Sequence, residues 1–389
     1  MTSSLLHARL RAEITELQEA GRYKVFRSLR SPMGPVVDIE GVGDTVMLCS
    51  NDYLGLANHP DVVAATKKGV ELYGAGTASV RFITGTFAPH AELEQKLAAF
   101  SHTDASLSYV SAWTANEAVF PTLVTTDDVV LSDALNHASL IDSIRQTKAT
   151  REVYAHSDLV QLESLLQKHR DAAVRWVVTD GVFSMEGDVV DLLRVVELCE
   201  EYDAILVMDD SHGVGVLGET GKGTAEHAGV LGRVDVLTGT LGKALGGAAG
   251  GYVAASSDVI DVLRQRGRPS LFSNALPVPV SCGAAAAVDV LQNEPQRLAR
   301  LRSNVATLRE GLRDLGYDCR PSPSAIIPII VGETEVAIAK SARLLELGVM
   351  VIGFGYPVVP KGEARLRVQV SAALEREHID KALAAFAQL

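Results

Sequence analysis

The residues best suited to chemistry lie in a few polar stretches that follow apolar runs. Val207-Met208 leads into Asp209-Asp210-Ser211-His212, and Val236-Leu237 leads into Thr238-Gly239-Thr240-Leu241-Gly242-Lys243-Ala244-Leu245-Gly246-Gly247. Ser108-Tyr109-Val110 leads into Ser111-Ala112-Trp113, where a helix is expected to begin. Taken singly, Asp209 could cap a helix, Lys243 could be a solvated charge, and Ser111 or Thr240 could form a turn. Together they match the needs of pyridoxal phosphate (PLP): a lysine to form an imine, an acid to keep the pyridine nitrogen protonated, and donors for a phosphate dianion. Gly242, Gly246 and Gly247 would let backbone and cofactor approach Lys243 closely, Thr238 and Thr240 offer hydroxyls, and the Ser111-Ala112-Trp113 turn would point backbone amides at an anion from a helix start.

Two glycine patterns point elsewhere and lack their context. Gly213-Val-Gly215-Val-Leu-Gly218 fits GxGxxG, but Glu219 to Gly223 are turn formers where a dinucleotide site needs a helix. Gly221-Lys222-Gly223 lacks the Ser or Thr that follows the lysine of a P-loop.

These residues must be positioned by a sheet. Apolar, β-branched runs recur at Ser106–Val110, Asp128–Leu131, Val174–Val178, Ala204–Met208, Val234–Leu237 and Gly251–Ala254, with helical spacing between them at Asp158–His169 and Leu192–Tyr202. Continuously hydrophobic strands separated by helices predict an α/β fold with a mainly parallel sheet covered on both faces. Ligands then gather at the carboxyl ends of the strands, where the polar stretches lie. After residue 285 charged helices (Gln296–Leu315, Thr334–Leu347) alternate with short strands (Ala325–Val331, Leu366–Gln369), which predicts a smaller α+β C-terminal domain. The expected organisation is an N-terminal helix and arm over 1–50, a large PLP-binding domain over 51–285 and a small domain over 286–389.

The chain has 389 residues, 47% of them hydrophobic, and a net charge of −12, which opposes a nucleic-acid partner. Its four cysteines have no CxxC or histidine spacing, so neither a metal site nor a disulfide framework is expected. The N-terminus reads as a short amphipathic helix without the apolar core of a signal peptide, and Ala275–Leu291 is interrupted by Pro277, Pro279 and Asp289. A cytoplasmic enzyme with no membrane partner is expected.

Across nearly its whole length the sequence resembles the α-oxoamine synthases, fold-type I PLP-dependent transferases that condense an amino acid with an acyl-CoA. The resemblance rests on Asn51-Asp-Tyr-Leu-Gly-Leu56, Asn136-His-Ala-Ser139, Thr179-Asp-Gly-Val-Phe-Ser-Met185, Asp209-Asp-Ser-His212 and Thr238-Gly-Thr-Leu-Gly-Lys243. Segments 78–86, 263–274 and 353–362 are most similar to members that join glycine to acetyl-CoA.

The resemblance implies that Lys243 forms the imine and acts as base, that Asp209 pairs with the pyridine nitrogen, and that His137 stacks on the ring. It places His212 and Ser184 near the ring oxygen, and Ser111, Ala112, Trp113 and Thr240 near the phosphate. Ser273 and Asn274 are similar to residues that reach the phosphate from a neighbouring subunit, implying a homodimer with shared active sites. Arg367 matches the arginine that grips the amino-acid carboxylate, and Asn51 a second substrate contact. Val80 stands where relatives carry small or branched residues beside the substrate α-carbon; plain core packing explains it equally well. Arg264, Arg266 and Arg268 could meet CoA phosphates or simply lie on a solvated helix. Two departures stand out: Asp210 replaces a frequent glutamate, and Leu374 a frequent histidine. A longer acyl-CoA or acyl-carrier donor, another amino acid, or aminotransferase or lyase chemistry would keep much of this set.

Overall fold

The computed structural model describes residues 4–389. A helix at Ser4–Glu19 buries none of its side chains within the chain; the three residues before it, also part of the expected N-terminal helix and arm, lie outside the described residues. Strands β1 (Val36–Ile39) and β2 (Gly43–Met47) form an antiparallel hairpin.

The apolar runs then assemble into a seven-stranded sheet of β3 (Ala105–Tyr109), β4 (Val129–Asp133), β5 (Thr150–Tyr154), β6 (Arg175–Asp180), β7 (Ile205–Asp209), β8 (Val236–Thr240) and β9 (Gly251–Ala255), in the order β3-β9-β8-β7-β6-β4-β5. Strands β8, β7, β6, β4 and β5 are parallel, and β9 is antiparallel to both its neighbours. Alternate residues feed two separate cores: Val129 and Leu131 enter one, Val130 the other. Burial on both faces is why these strands read as unbroken hydrophobic runs, each fully buried Val or Leu contributing about 1.5–3 kcal/mol. The edge strand β5, Thr-Arg-Glu-Val-Tyr, is largely exposed and has no such run, so the sequence pattern does not reveal it.

Toward the C-terminus, β10 (Ile326–Gly332), β12 (Ile352–Phe354) and β13 (Ala364–Gln369) form an antiparallel sheet in the order β10-β13-β12. The short β11 (Val349–Met350) pairs in parallel with β2, so the N-terminal hairpin is tied to the C-terminal region. Residues 211–221, which include the GxGxxG stretch, are turns and bends, and the helix after them, Thr224–His227, is a single turn. No helix among the described residues is long and apolar enough to cross a membrane.

Helices Pro60–Tyr73 and Val278–Asn293 pack through glycines from both sides. A Cβ on Gly69 would lie 2.8 Å from Pro279 Cα, and one on Gly283 would lie 2.5 Å from Thr66 Oγ1. Gly69→Val should therefore overpack this crossing and cost about 1–3 kcal/mol. A lower urea midpoint checks it; an unchanged midpoint would mean that the helices can separate freely.

Candidate active site

Asp209 ends β7 and is buried. One of its oxygens accepts from Ser211 N (2.9 Å) and the other from Asn116 Nδ2 (2.7 Å). Asn116 also donates to Ser139 Oγ (2.8 Å), which lies 2.7 Å from His137 Nδ1. The acid and the histidine are thus oriented by one bridge that sequence reading did not single out. Both bridging residues sit in helices that begin at the sheet's carboxyl edge, Ala112–Leu123 and Ala138–Arg145, and this placement was the only available signal. Burial lowers the His137 pKa, Asp209 partly offsets this, and Lys243 lowers it further. The edge of Trp113 meets His137, with ring centroids 6.1 Å apart.

Asp180 ends β6 in register with Asp209. Burial first, then the Asp209 charge, holds its carboxyl well above the usual range, so two adjacent acids need not both be ionised. Asp210 faces away from the cleft: it is fully buried, accepts from Thr224 N (2.7 Å) and Thr224 Oγ1 (2.5 Å), and is pushed up to about 7, chiefly by burial.

Lys243 lies in the link between β8 and β9, where Gly246 and Gly247 take positive φ (99° and 65°) that other residues rarely adopt. Its Nζ is 2.8 Å from His212 Nε2. Burial lowers its pKa to about 8, Asp209 and Asp180 acting to raise it and Arg367 to lower it. Thr240 Oγ1 accepts from Gly242 N (3.0 Å) at the base of this turn. Lys243, Asp209, His137, His212, Thr240, Ser211, Ser139, Asp180, Val182 and Ala112 line one cleft of about 180 Å³.

Arg367 on β13 is 9% exposed; its Nη2 lies 3.4 Å from Asn51 Oδ1, and its buried Nε has no hydrogen-bond partner among the described residues. Arg365, two residues earlier, is fully buried and pairs with Glu186 and Glu363, while also donating to Met185 O (3.2 Å). It grips the turn that carries Ser184; Ser184 itself is not part of the cleft lining. Leu374 is buried in the core, and its carbonyl accepts from Asn304 Nδ2 (2.8 Å).

Like Ser184, the expected residues Ser111, Trp113, Asn51 and Arg367 are not among the residues that line this cleft, and Ser273, Asn274 and Val80 are seated elsewhere in this chain. Ser273 and Asn274 line a separate small cavity with Arg81 and Thr114, and buried Val80 caps the helix Arg81–Thr84. Of the basic cluster, Arg264 pairs with Asp261 and Arg268 lies over the Phe272 ring, while Arg266 is exposed and has no ion-pair partner among the described residues.

The cleft fits PLP. It holds a half-buried lysine, a carboxylate fixed by two donors, and the start of a twelve-residue helix N-capped by Ser111, whose side chain accepts from Thr114 N (3.0 Å). First-turn amides of such a helix have no intrahelical acceptor, and Ser211 Oγ is buried without a partner, so donors are available to an anion.

The family model for aminotransferase class I and II matches residues 43–386, and the chain belongs to that family. Within it the chain is a member of the PLP-dependent α-oxoamine synthases, as its relatives make plain. It is 43% identical over 385 residues to 2-amino-3-ketobutyrate coenzyme A ligase of Escherichia coli, covering 98% of this chain and 97% of the relative. It is 44% identical over 374 residues to 8-amino-7-oxononanoate synthase 1 of Bacillus velezensis, covering 96% and 95%. Serine palmitoyltransferase of Sphingomonas wittichii superposes with a TM-score of 0.93 at 31% identity, over 98% of this chain and 96% of that one. A structure described as SPT with PLP internal aldimine superposes with a TM-score of 0.94 at 29% identity, over 100% and 98%.

Proposed function

We propose that this chain is a glycine C-acetyltransferase: it joins the α-carbon of glycine to the acyl carbon of acetyl-CoA, giving a 2-amino-3-oxo acid and free CoA. The observation that carries this reading is Arg367, a buried guanidinium beside Asn51 whose Nε has no partner among the described residues. Such a fork suits a small carboxylate, which accepts parallel hydrogen bonds from it.

PLP, when bound, supplies the electron sink that makes the α-proton of an amino acid removable. Lys243 would anchor it, Asp209 would hold the proton of its ring nitrogen, and Ser111, Ala112, Trp113 and Thr240 would receive its phosphate. His137 would cover the ring, and His212 and Ser184 would face the ring oxygen. Exposed Phe82, Ile83 and Phe272 flank Val80, Ser273 and Asn274, which supports a homodimer in which these residues serve the partner's cleft.

The reaction needs a base at the α-carbon. Burial brings the Lys243 amine to about 8, so a useful fraction is neutral at physiological pH and its lone pair can take the proton. A carbon–carbon bond then forms at the thioester carbonyl, the carbon–sulfur bond breaks, and the thiolate leaves to become the CoA thiol. Arg367 and Asn51 hold the carboxylate and thereby turn the α-hydrogen toward Lys243.

The equal similarity to an 8-amino-7-oxononanoate synthase supports a second reading, a longer acyl-CoA or acyl-carrier donor with another amino acid. Thiol release measured with PLP, glycine and acetyl-CoA, then with alanine, serine and longer thioesters, separates the two. Fastest release with glycine and acetyl-CoA is the expected result; faster release with a long thioester would favour the second reading. No thiol from any pair, with amino-group exchange instead, would sink both.

A further inference from the structure

The stretch Gly353-Phe354-Gly355 sets one aromatic ring between two glycines, and strand alternation sends the ring and the glycines to opposite faces. The glycines lie against the helix Thr334–Glu346. A Cβ on Gly353 would fall 2.5 Å from Ala337 O, and one on Gly355 would strike the Thr334 side chain, so that face admits no side chain. Phe354 is thereby turned toward β13. Its strand β12 pairs with β13 in the register Ile352↔Arg367 and Phe354↔Arg365, which makes Phe354 the diagonal neighbour of Arg367 on a shared face. The Arg367 Cζ lies over the half-buried ring, 5.7 Å from its centroid.

The other contacts of Arg367 do not fix its plane. Nη2 faces the uncharged amides of Asn51 (3.4 Å) and Gln369, and Nε has no hydrogen-bond partner among the described residues. Contacts at one nitrogen leave the guanidinium free to turn about that end. Hydrogen bonds at the remaining nitrogens would stop the turning, but they would occupy the donors that a carboxylate needs. Arg365 is fixed in that way, with bonds from Nε to Glu363 O, from Nη1 to Met185 O and from Nη2 to the Glu363 carboxylate. An aromatic face holds a guanidinium from outside its plane and takes no donor.

We infer that Phe354 is a positioning residue whose ring face holds the guanidinium plane of Arg367 and leaves the in-plane donors free for the carboxylate of the amino-acid substrate. The inference rests on the proposed role of Arg367 at that carboxylate and adds the side chain that aims the fork. Its effect falls on binding, because the carboxylate occupies the fork before and during the reaction alike.

The test uses PLP-loaded, full-length enzyme and follows the cofactor absorbance on titration with glycine and, in parallel, with methylamine, which has the amine and lacks the carboxylate. Phe354→Leu removes the ring and keeps an apolar side chain; it should weaken glycine about three- to thirtyfold and leave methylamine unchanged. Equal weakening of both ligands would show a disturbed cofactor site, and weakening of neither would show a ring without this task; each result overturns the inference. Pentafluorophenylalanine at position 354 keeps the ring shape and reverses the charge on its face, so it tests the stacking even where Phe354→Leu does not fold. It should weaken glycine alone, and wild-type glycine affinity in this variant overturns the inference. In turnover Phe354→Leu should raise the glycine KM and leave kcat within about twofold; a loss confined to kcat would place Phe354 in the chemical step and overturn the inference. Arg367→Ala in the same titrations separates the two readings: unchanged glycine affinity there removes Arg367 from the carboxylate, whereas a loss there with none in Phe354→Leu removes only the role of the ring. No acyl donor is present in the titrations, so absence of thiol release would overturn the proposed reaction and leave them standing.

Discussion

Replacing Lys243 with methionine should abolish CoA thiol release and at the same time make the PLP-free chain more stable at neutral pH. A positioned general base alone contributes about 10²–10⁴ in rate, and the covalent anchor is lost with it, so a fall of at least about 10⁴ is expected. The gain in stability follows from linkage. Burial brings the Lys243 amine down to about 8 in the folded chain, from an ordinary value of 10.5 that the unfolded chain retains. Between those values the unfolded chain binds more protons, so stability rises with pH through that window, and below it the cost of burying the amine is present in full. The shift corresponds to about 3 kcal/mol at pH 7 as an order of magnitude. Urea unfolding of both proteins without PLP should show the variant ahead at pH 7 and the gap narrowed at pH 10. A variant less stable at pH 7 would show that the lysine makes net stabilising contacts that its burial does not reveal. Retention of a borohydride-reducible imine in the variant would mean that another lysine holds the cofactor.

Arg367→Ala should raise the glycine KM and lower kcat/KM by roughly 30- to several-thousand-fold, since truncating one partner of a buried, hydrogen-bonded charge pair costs about 2–5 kcal/mol. Most of that loss is expected in binding, because the carboxylate meets the arginine before and during reaction alike. Arg367→Lys should recover little: an ammonium cannot reproduce the planar fork. An unchanged glycine KM in Arg367→Ala would remove this residue from the substrate site and return the question to Arg365. The geometry argues against Arg365, whose guanidinium is already engaged by Glu186 and Glu363.

Much of this architecture was legible in the sequence because its strands are buried on both faces and therefore write continuous apolar runs. Residues that follow those runs, such as Asp209, Thr240 and Lys243, fall at the ligand-binding edge by topology alone. What escaped was structure without a local pattern. Strand β5 is exposed and polar, and β11 is too short to have a period. The Asn116 and Ser139 bridge depends on which helix faces meet. Tyr53 and Gln369 lie near opposite ends of the chain, and only the closed fold brings their polar atoms together. Arg365 and Arg367 share a strand spacing that assigns them the same face, yet one is spent on clamping the turn that carries Ser184 and the other keeps a donor with no partner among the described residues.

The turn that carries Lys243 begins and ends at one rung of the sheet, since Thr240 pairs with Gly251 across β8 and the antiparallel β9. Its contour length is therefore tied off at both ends, and an inserted or deleted residue would move the amine relative to Asp209 with no slack to absorb it. In evolutionary terms this favours divergence by substitution elsewhere. Segments that do not share that rung, such as residues 78–86 and 353–362, can change without moving the tethered lysine.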